Sequence, residues 1–406
     1  MKSRYVLLLI PCLFLCALFF LVLPQRPPEK AVESVNLDFF QMREEALSGF
    51  TRVIRDFEEA EGGIHVDQQN VSSALELFLA RMQRNDLPSV FTFWPTQLSF
   101  RKLVEKGQVR ALTDEDFLSR VDPAALEMVR SEDGEIYALP VNYNCVEIFY
   151  NRSVFEQYGL EIPRTLDELL NLCRTLAGKG ITPCVFSRRD GRISHVAQGI
   201  LAALCPDYLT VLERVGSGSA SPEEENMLRR ALHVMYTFTC MDQETPLYTS
   251  EANQYFCEGK AAMYYTGSYV LGDLMNLQPG FDMGVFPFPG YTPDSRVLLG
   301  SVDTALCISA DCAQTDAALT FLEFLTRPET ATAYANLDLE ASCIMGVRQE
   351  HPVSREMAAH IAGYEHAEWI KNRFSYECSN AFETAVRAYV LDGDLETLMA
   401  KIREIF

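Results

Sequence analysis

The chain has 406 residues, a formal charge of −21, and a composition that is 48% hydrophobic and 22% charged. That length exceeds what one hydrophobic core usually serves, so two lobes or domains are expected. The balance fits neither a disordered chain nor a polytopic membrane protein. Its acidity argues against a nucleic-acid binder, which needs basic surface to displace counterions.

The first residues bear on compartment. Lys2 and Arg4 precede Tyr5 to Leu23, nineteen residues without a charge, and Pro24-Gln-Arg-Pro-Pro28 then breaks any helix. At about 1.5 Å per residue such a run can just cross a bilayer. The positive flank predicts a cytoplasmic N-terminus and an exported remainder. Residues 1–23 therefore read as a membrane anchor, since no small-x-small cleavage site follows. A lipoprotein signal is the alternative. Leu13-Phe-Leu-Cys16 has Leu and Cys at lipobox spacing, although Leu15 stands where a small residue is usual. Either reading holds the chain at the outer face of the cell membrane. Ten further cysteines are scattered through apolar stretches without C-x-x-C or Cys/His ligand spacing, which predicts mostly free thiols.

Residues 24–34 form a short linker, after which strand-like and helix-like segments alternate. Val35 to Phe40 reads as a strand, and Ala46 to Glu59 as an amphipathic helix with Phe50, Val53, Ile54 and Phe57 on one face. Ser89 to Trp94 is the next strand, ended by Pro95. Thr165-Leu-Asp-Glu168 is a capping box that opens a helix through Leu176. Ser221-Pro-Glu-Glu224 opens another, with Pro at the first helical position and acids at the positive helix end. Alternation of this kind predicts α/β layers.

Six segments, in order, resemble the family 1 extracellular solute-binding proteins. They are Leu87-Pro-Ser-Val-Phe91; Asp133-Gly-Glu-Ile-Tyr-Ala-Leu-Pro140, running through Val141–Asn144 into Ile148-Phe-Tyr-Asn-Arg152; and Pro163-Arg-Thr-Leu-Asp-Glu-Leu169, with Leu166 where the family has Trp. Gly180-Ile-Thr-Pro183, Phe256-Cys-Glu-Gly-Lys-Ala-Ala-Met263 with Gly267-Ser-Tyr269, and Phe321–Leu325 with Pro328-Glu329 follow. The resemblance implies an α/β, two-lobed periplasmic-binding-protein-like fold of type II, its lobes joined by hinge strands. Crossings would fall near Pro140–Asn144, near Ala261–Gly267 and after Leu325. Lobe 1 would then hold residues 35–141 plus 268–326, and lobe 2 residues 142–267 plus 327–406. It further implies an importer component of the ABC class that closes on a small molecule in the cleft and presents it to permease transmembrane subunits. A monomer is expected.

A sugar presents hydroxyl edges and an apolar C–H face, so its site needs aromatic platforms and convergent amides and carboxylates. Trp94 and Trp369 are the two tryptophans, the first at a strand end and the second in Glu368-Trp-Ile-Lys371. Asn142 and Asn144 alternate on an extended segment and face one side, where they either meet ligand or bond the hinge backbone. Tyr269 keeps an aromatic face where the family has Trp. Asp303 falls where a returning strand would meet the cleft, as ligand acceptor or as turn cap, and Gln41 after the first strand is a candidate of the same kind. No H-E-x-x-H, G-x-S-x-G, phosphate-binding or dinucleotide motif occurs, so no cofactor, metal or catalytic residue is assigned. The alternative is a membrane-tethered sensor of the same fold that signals to a membrane partner.

Overall fold

The computed structural model describes residues 34–71, 73–241 and 245–406. The expected anchor or lipoprotein signal, 1–23, and the linker up to residue 33 lie outside the described residues. Twelve strands follow in chain order: β1 (Val35–Phe40), β2 (Ile64–Gln69), β3 (Val90–Phe93), β4 (Leu139–Pro140), β5 (Asn142–Asn151), β6 (Thr182–Val185), β7 (Ala261–Gly267), β8 (Met283–Pro287), β9 (Val297–Val302), β10 (Ala305–Ile308), β11 (Ala341–Ser342) and β12 (Glu365–Ala367). They make two sheets. The first has order β2-β1-β3-β10-β4, with β1 parallel to β2 and β3, and β10 antiparallel to β3 and β4. The second runs β12-β9-β5-β7-β6, with β8 and β11 also paired to β5.

Helices cover these sheets because their apolar residues recur at helical spacing. The helix Leu47–Ala60 buries Phe50, Val53, Ile54 and Phe57, the face read from the sequence. Phe50 meets Phe39 of β1 edge-on at 5.1 Å, and Phe57 meets Phe321 at 5.1 Å. Each such ring contributes on the order of 1.5–3 kcal/mol through burial. The helix Pro328–Asp338 lies on the same layer, with Tyr334 4.9 Å from Phe50. Gly49 makes room for it, since a Cβ there would come within 2.9 Å of the Tyr334 ring. This helix thus packs with the first sheet, although the sequence grouped 327 onward with the second lobe.

The second core is more helical. Arg192–Leu204 is buried almost all round, against Pro222–Thr239 and the C-terminal helices Tyr376–Asp392 and Leu395–Ile405. Ser221 caps Pro222–Thr239 with a complete capping box, as its sequence indicates. At Thr165 the box is half made: Thr165 accepts from the Glu168 N–H, while the Glu168 carboxylate accepts from Arg164 instead. Among the described residues, no single helix is long and apolar enough to cross a membrane.

β5 carries both halves. Its first residues pair with β9 (Asn144 opposite Ser301) and β11 (Ser342 opposite Asn142), and the remainder lies between β7 and β8. One continuous ten-residue strand, beginning just after β4 of the first sheet, therefore runs through the second sheet from β9 and β11 to β7 and β8. The residues at its start lie where the two halves meet.

Candidate functional site

The start of β5 is a knot of buried polar groups. Asn142 donates to Asp338 Oδ2 and to Glu340 Oε2, both at 2.5 Å, and its Oδ1 accepts from the Thr304 N–H at 3.0 Å. Two residues on, Asn144 donates to Asp303 Oδ1 at 2.7 Å. Arg43, from the loop after β1, reaches the same place. Its Nη1 lies 2.7 Å from Asp303 Oδ2, 2.8 Å from Glu340 Oε2 and 2.7 Å from Thr304 Oγ1. With Glu45 3.4 Å from Nη2, three carboxylates share one guanidinium. Burial pushes Glu340 well above the usual carboxylate range, against the pull of Arg43, and the charges of Asp338 and Asp303 add to the rise. Asp338 is raised by burial as well, with Arg43 and Asn142 opposing. Gln41 is fully buried beside this knot. Its amide donates to the Arg43 carbonyl and its oxygen accepts from Asn70 at 2.6 Å, so it shapes the loop that carries Arg43.

A row of rings and cations adjoins the knot. Trp94 stands half-buried at the end of β3. Trp369, buried just before the short helix Ile370–Arg373, belongs to the second core. Lys371 Nζ lies 5.6 Å from the Trp94 ring centre and 5.7 Å from that of Trp369, a cation between two indoles. His195 packs edge-on to Trp369 at 5.0 Å, and its Nδ1 shares a 2.9 Å hydrogen bond with the Tyr269 hydroxyl. Arg192, one turn before His195 at the start of its helix, lies 3.9 Å over the Tyr269 ring. Burial, then Lys371 and Arg192, hold His195 well below the usual imidazole value, so the ring is neutral. Lys371 is itself lowered, by burial first and by Arg192, with Asp303 opposing.

Two cavities flank this row. One of about 760 Å³ is lined by Arg43, Glu45, Arg192, Tyr269, Asp273 and Asp338. The other, about 410 Å³, is lined by Pro95, Thr96, Arg101, Ser301, His366 and Asn372. Both sizes suit small molecules. Thr96 and Arg101, from the β3 side, also bond to Asn372, so the walls of the second cavity touch across its floor. Two polar atoms nearby have no partner among the described residues: the Trp369 indole N–H and Asn144 Oδ1. Buried donors and acceptors are rarely left so.

The structure brings Trp94, Tyr269, Trp369, Asn144 and Asp303 to one region. Asn142 and Gln41 are buried beside it, with their amides engaged by protein groups. Sequence reasoning missed Arg43, Arg192, His195, Glu340 and Lys371. Lys371 follows Trp369 by two residues, and Arg192 and His195 are one helical turn apart, but neither spacing reveals that distant segments converge.

The comparisons agree with this architecture. The profile of the family described as "Bacterial extracellular solute-binding protein" matches residues 52–359, more than half of the chain. The "Multiple sugar-binding protein" of Streptococcus mutans is 23% identical over 384 residues, 92% of this chain and 90% of that one. The melibiose/raffinose/stachyose-binding protein MelE of Bacillus subtilis is 24% identical over 369 residues, 86% of this chain and 83% of that one. Among solved structures, RafE in complex with raffinose superposes with a TM-score of 0.83 at 24% identity, over 92% of this chain and 99% of that one. The apo form of RafE from Streptococcus pneumoniae gives 0.81 at 23%, over 94% and 98%. These likenesses establish the two-lobed fold. On the extent of the profile match, the chain belongs to the bacterial extracellular solute-binding protein family.

Proposed function

We propose that this protein is the solute-binding component of an ABC importer, that it takes a sugar or oligosaccharide between its lobes, and that it hands the sugar unchanged to the permease transmembrane subunits. The observation that carries the reading is the pair of indoles, Trp94 from the first sheet and Trp369 from the second core, flanking one cation at 5.6 and 5.7 Å. Faces of this kind stack on the C–H side of a sugar ring, while Asn144 and Asp303 supply groups for its hydroxyls. That sugar-binding proteins stand among its relatives supports the same ligand class.

In this reading Trp94, Tyr269, Trp369, Asn144 and Asp303 meet the ligand, and Asn142 and Gln41 position them. The first lobe takes the first sheet together with the helix Pro328–Asp338, and the second takes β6 to β8 with the C-terminal helices. Residues 5–23 hold the protein to the outer face of the membrane. Closure is favoured only by contacts the sugar makes in the closed state and not in the open one.

Thermal melting of the full chain in detergent, against a panel of mono- and oligosaccharides, tests the proposal. A bound sugar must raise the melting temperature, since a hundredfold excess over Kd adds about 2.7 kcal/mol of stability. Stabilisation by peptides or amino acids, with none by any carbohydrate, would refute the ligand class.

A further inference from the structure

Charge is unevenly shared across the cleft. Arg43 holds Asp303, Glu340 and Glu45 as ion-pair partners, while Arg192 and Lys371 make no ion pair among the described residues. The carboxylates whose fields reach them are already engaged. Asp303, the acid nearest in effect to Lys371, is held by Arg43 and by Asn144, each at 2.7 Å. Glu45, which acts on Arg192, pairs with Arg43 at 3.4 Å. Asp190, the other acid felt by Arg192, accepts the backbone N–H groups of Arg192 and Thr249. What the two cations have instead are aromatic faces: Tyr269 under Arg192, and both tryptophans beside Lys371. Both residues are half-buried, and rings repay only part of the cost of taking even part of a cation out of water.

Three further facts point the same way. The two cations repel each other, since Arg192 acts on Lys371 to disfavour its charge. His195, between them, is held well below the usual imidazole value by burial first, and then by both cations. The Trp369 indole N–H, beside Lys371, is a buried donor with no acceptor. Donors are therefore in excess along one row, Arg192–Tyr269–His195–Trp369–Lys371, in a protein whose net charge is −21.

We infer that the ligand is an acidic sugar, its carboxylate or sulfate received by Lys371 and Arg192 with the Trp369 N–H as an additional donor. This rests on the sugar-binding reading above and narrows it. Trp94 and Trp369 would take the ring faces, and the anion would supply the direct ion pair that neither cation makes among the described residues, Arg192 being favoured as a cation so far by the Tyr269 hydroxyl and by Glu45 and Asp190 without contact. Charge-assisted hydrogen bonds of this kind are the strong ones.

The test is calorimetric titration of the full chain in detergent. The probes are uronic-acid di- and trisaccharides of gluco, galacto and manno configuration, their carboxyl-reduced neutral counterparts, and a sulfated disaccharide series. At least one acidic probe should bind about 10- to 100-fold more tightly than its neutral counterpart. The preference should collapse in Lys371→Met and in Arg192→Met. At a pH high enough for Lys371 to be partly deprotonated, binding of the acid should take up protons, read as a dependence on buffer ionisation heat, because the anion favours the charged amine. A residue that merely supports the fold would not alter that proton count. Both variants should melt no lower than the parent, which separates lost recognition from lost folding. Tightest binding by uronides or by sulfated sugars identifies the anion. Equal or tighter binding of neutral sugars, or a preference that survives both substitutions, overturns the acidic assignment and leaves the sugar reading intact. Binding of peptides or amino acids with no carbohydrate bound overturns both.

Discussion

Arg43 Nη1 lies 2.7 Å from Asp303 Oδ2, with both side chains almost wholly buried, and so ties the loop after β1 to the turn between β9 and β10. The same nitrogen reaches Glu340, just before β11, while Asn142 of β5 bonds Glu340 from the other side. The start of β5, with its partners β9 and β11, is thereby fastened to the first sheet at one point. In the proposed closing motion this point is the expected pivot, because its groups cannot part without exposing unpaired charge to a dry interior.

Arg43→Met should therefore destabilise the protein by about 3–5 kcal/mol near pH 8, the cost of leaving buried carboxylates uncompensated. The sign of the pH dependence follows from Asp338 and Glu340, whose folded values are raised, chiefly by burial. Groups raised in this way contribute stability that is fully present below the unfolded carboxylate value, about 4, and is lost as pH rises through the folded value. Removing Arg43 raises them further, so the deficit should grow with pH. Urea midpoints of parent and variant at pH 5 and pH 8 measure it. An equal deficit at both would show that the carboxylates do not depend on Arg43.

The two tryptophans make binding visible. Both stand beside Lys371, and the sequence contains no others, so all indole emission comes from this row. Ligand should shift that emission, and the change should be reduced in Trp94→Phe and in Trp369→Phe. Trp94→Ala or Tyr269→Ala should weaken binding by about 1–3 kcal/mol, the range for buried contact residues. Titrations that give the parental affinity would remove that side chain from the site.

How far the sequence reached depended on whether the information was local. Strand β1 and the buried face of Leu47–Ala60 could be read because periodicity is set by neighbours a few residues away. So could the cap at Ser221, where donor and acceptor are three residues apart. Trp94 was singled out because it ends a strand, and Tyr269 because it stands where the resembled family has Trp. Arg43 was not, since nothing around it records that Thr304 and Glu340 return to it from 261 and 297 residues away. The helix Pro328–Asp338 shows the same gap. Its sequence states that it is a helix, but its place beside Phe50 depends on Gly49 leaving room for Tyr334.

Glu147 and His360 couple β5 to the helix Pro352–Gly363. Glu147 is 1% exposed, and its Oε1 lies 2.6 Å from His360 Nδ1. Burial alone would lower the imidazole, but Glu147, with help from Glu356, prevails and raises it. A histidine raised on folding adds stability that is fully present below its unfolded value, about 6.5, and is lost as pH climbs through the folded value. His360→Gln should thus cost about 1.5–3 kcal/mol at pH 6 and progressively less toward pH 9. Melting curves of both proteins across that interval should converge, and parallel curves would contradict the pairing.

Gly300 tests the hinge through its backbone. It faces Cys145 across β5 and β9, and a Cβ there would fall 2.6 Å from the carbonyl oxygen of Asn144. That oxygen is main chain and cannot rotate away, so Gly300→Ala has to push the two strands apart. Overpacking of this kind costs about 1–3 kcal/mol. The displaced residue is Asn144, whose amide holds Asp303, and Asp303 in turn holds Arg43. The substitution should therefore lower affinity for ligand as well as stability, although residue 300 need not touch the ligand itself. Gly178 is the matched control: it closes the helix Leu166–Gly178, lines neither cavity, and nothing is within 4 Å of its added Cβ. Gly178→Ala should be neutral or stabilising by up to about 1 kcal/mol. Urea midpoints and ligand titrations on the two variants, run together, separate strand displacement at the hinge from the general effect of an added methyl group. If Gly300→Ala matches Gly178→Ala in both measurements, β5 and β9 do not constrain the site.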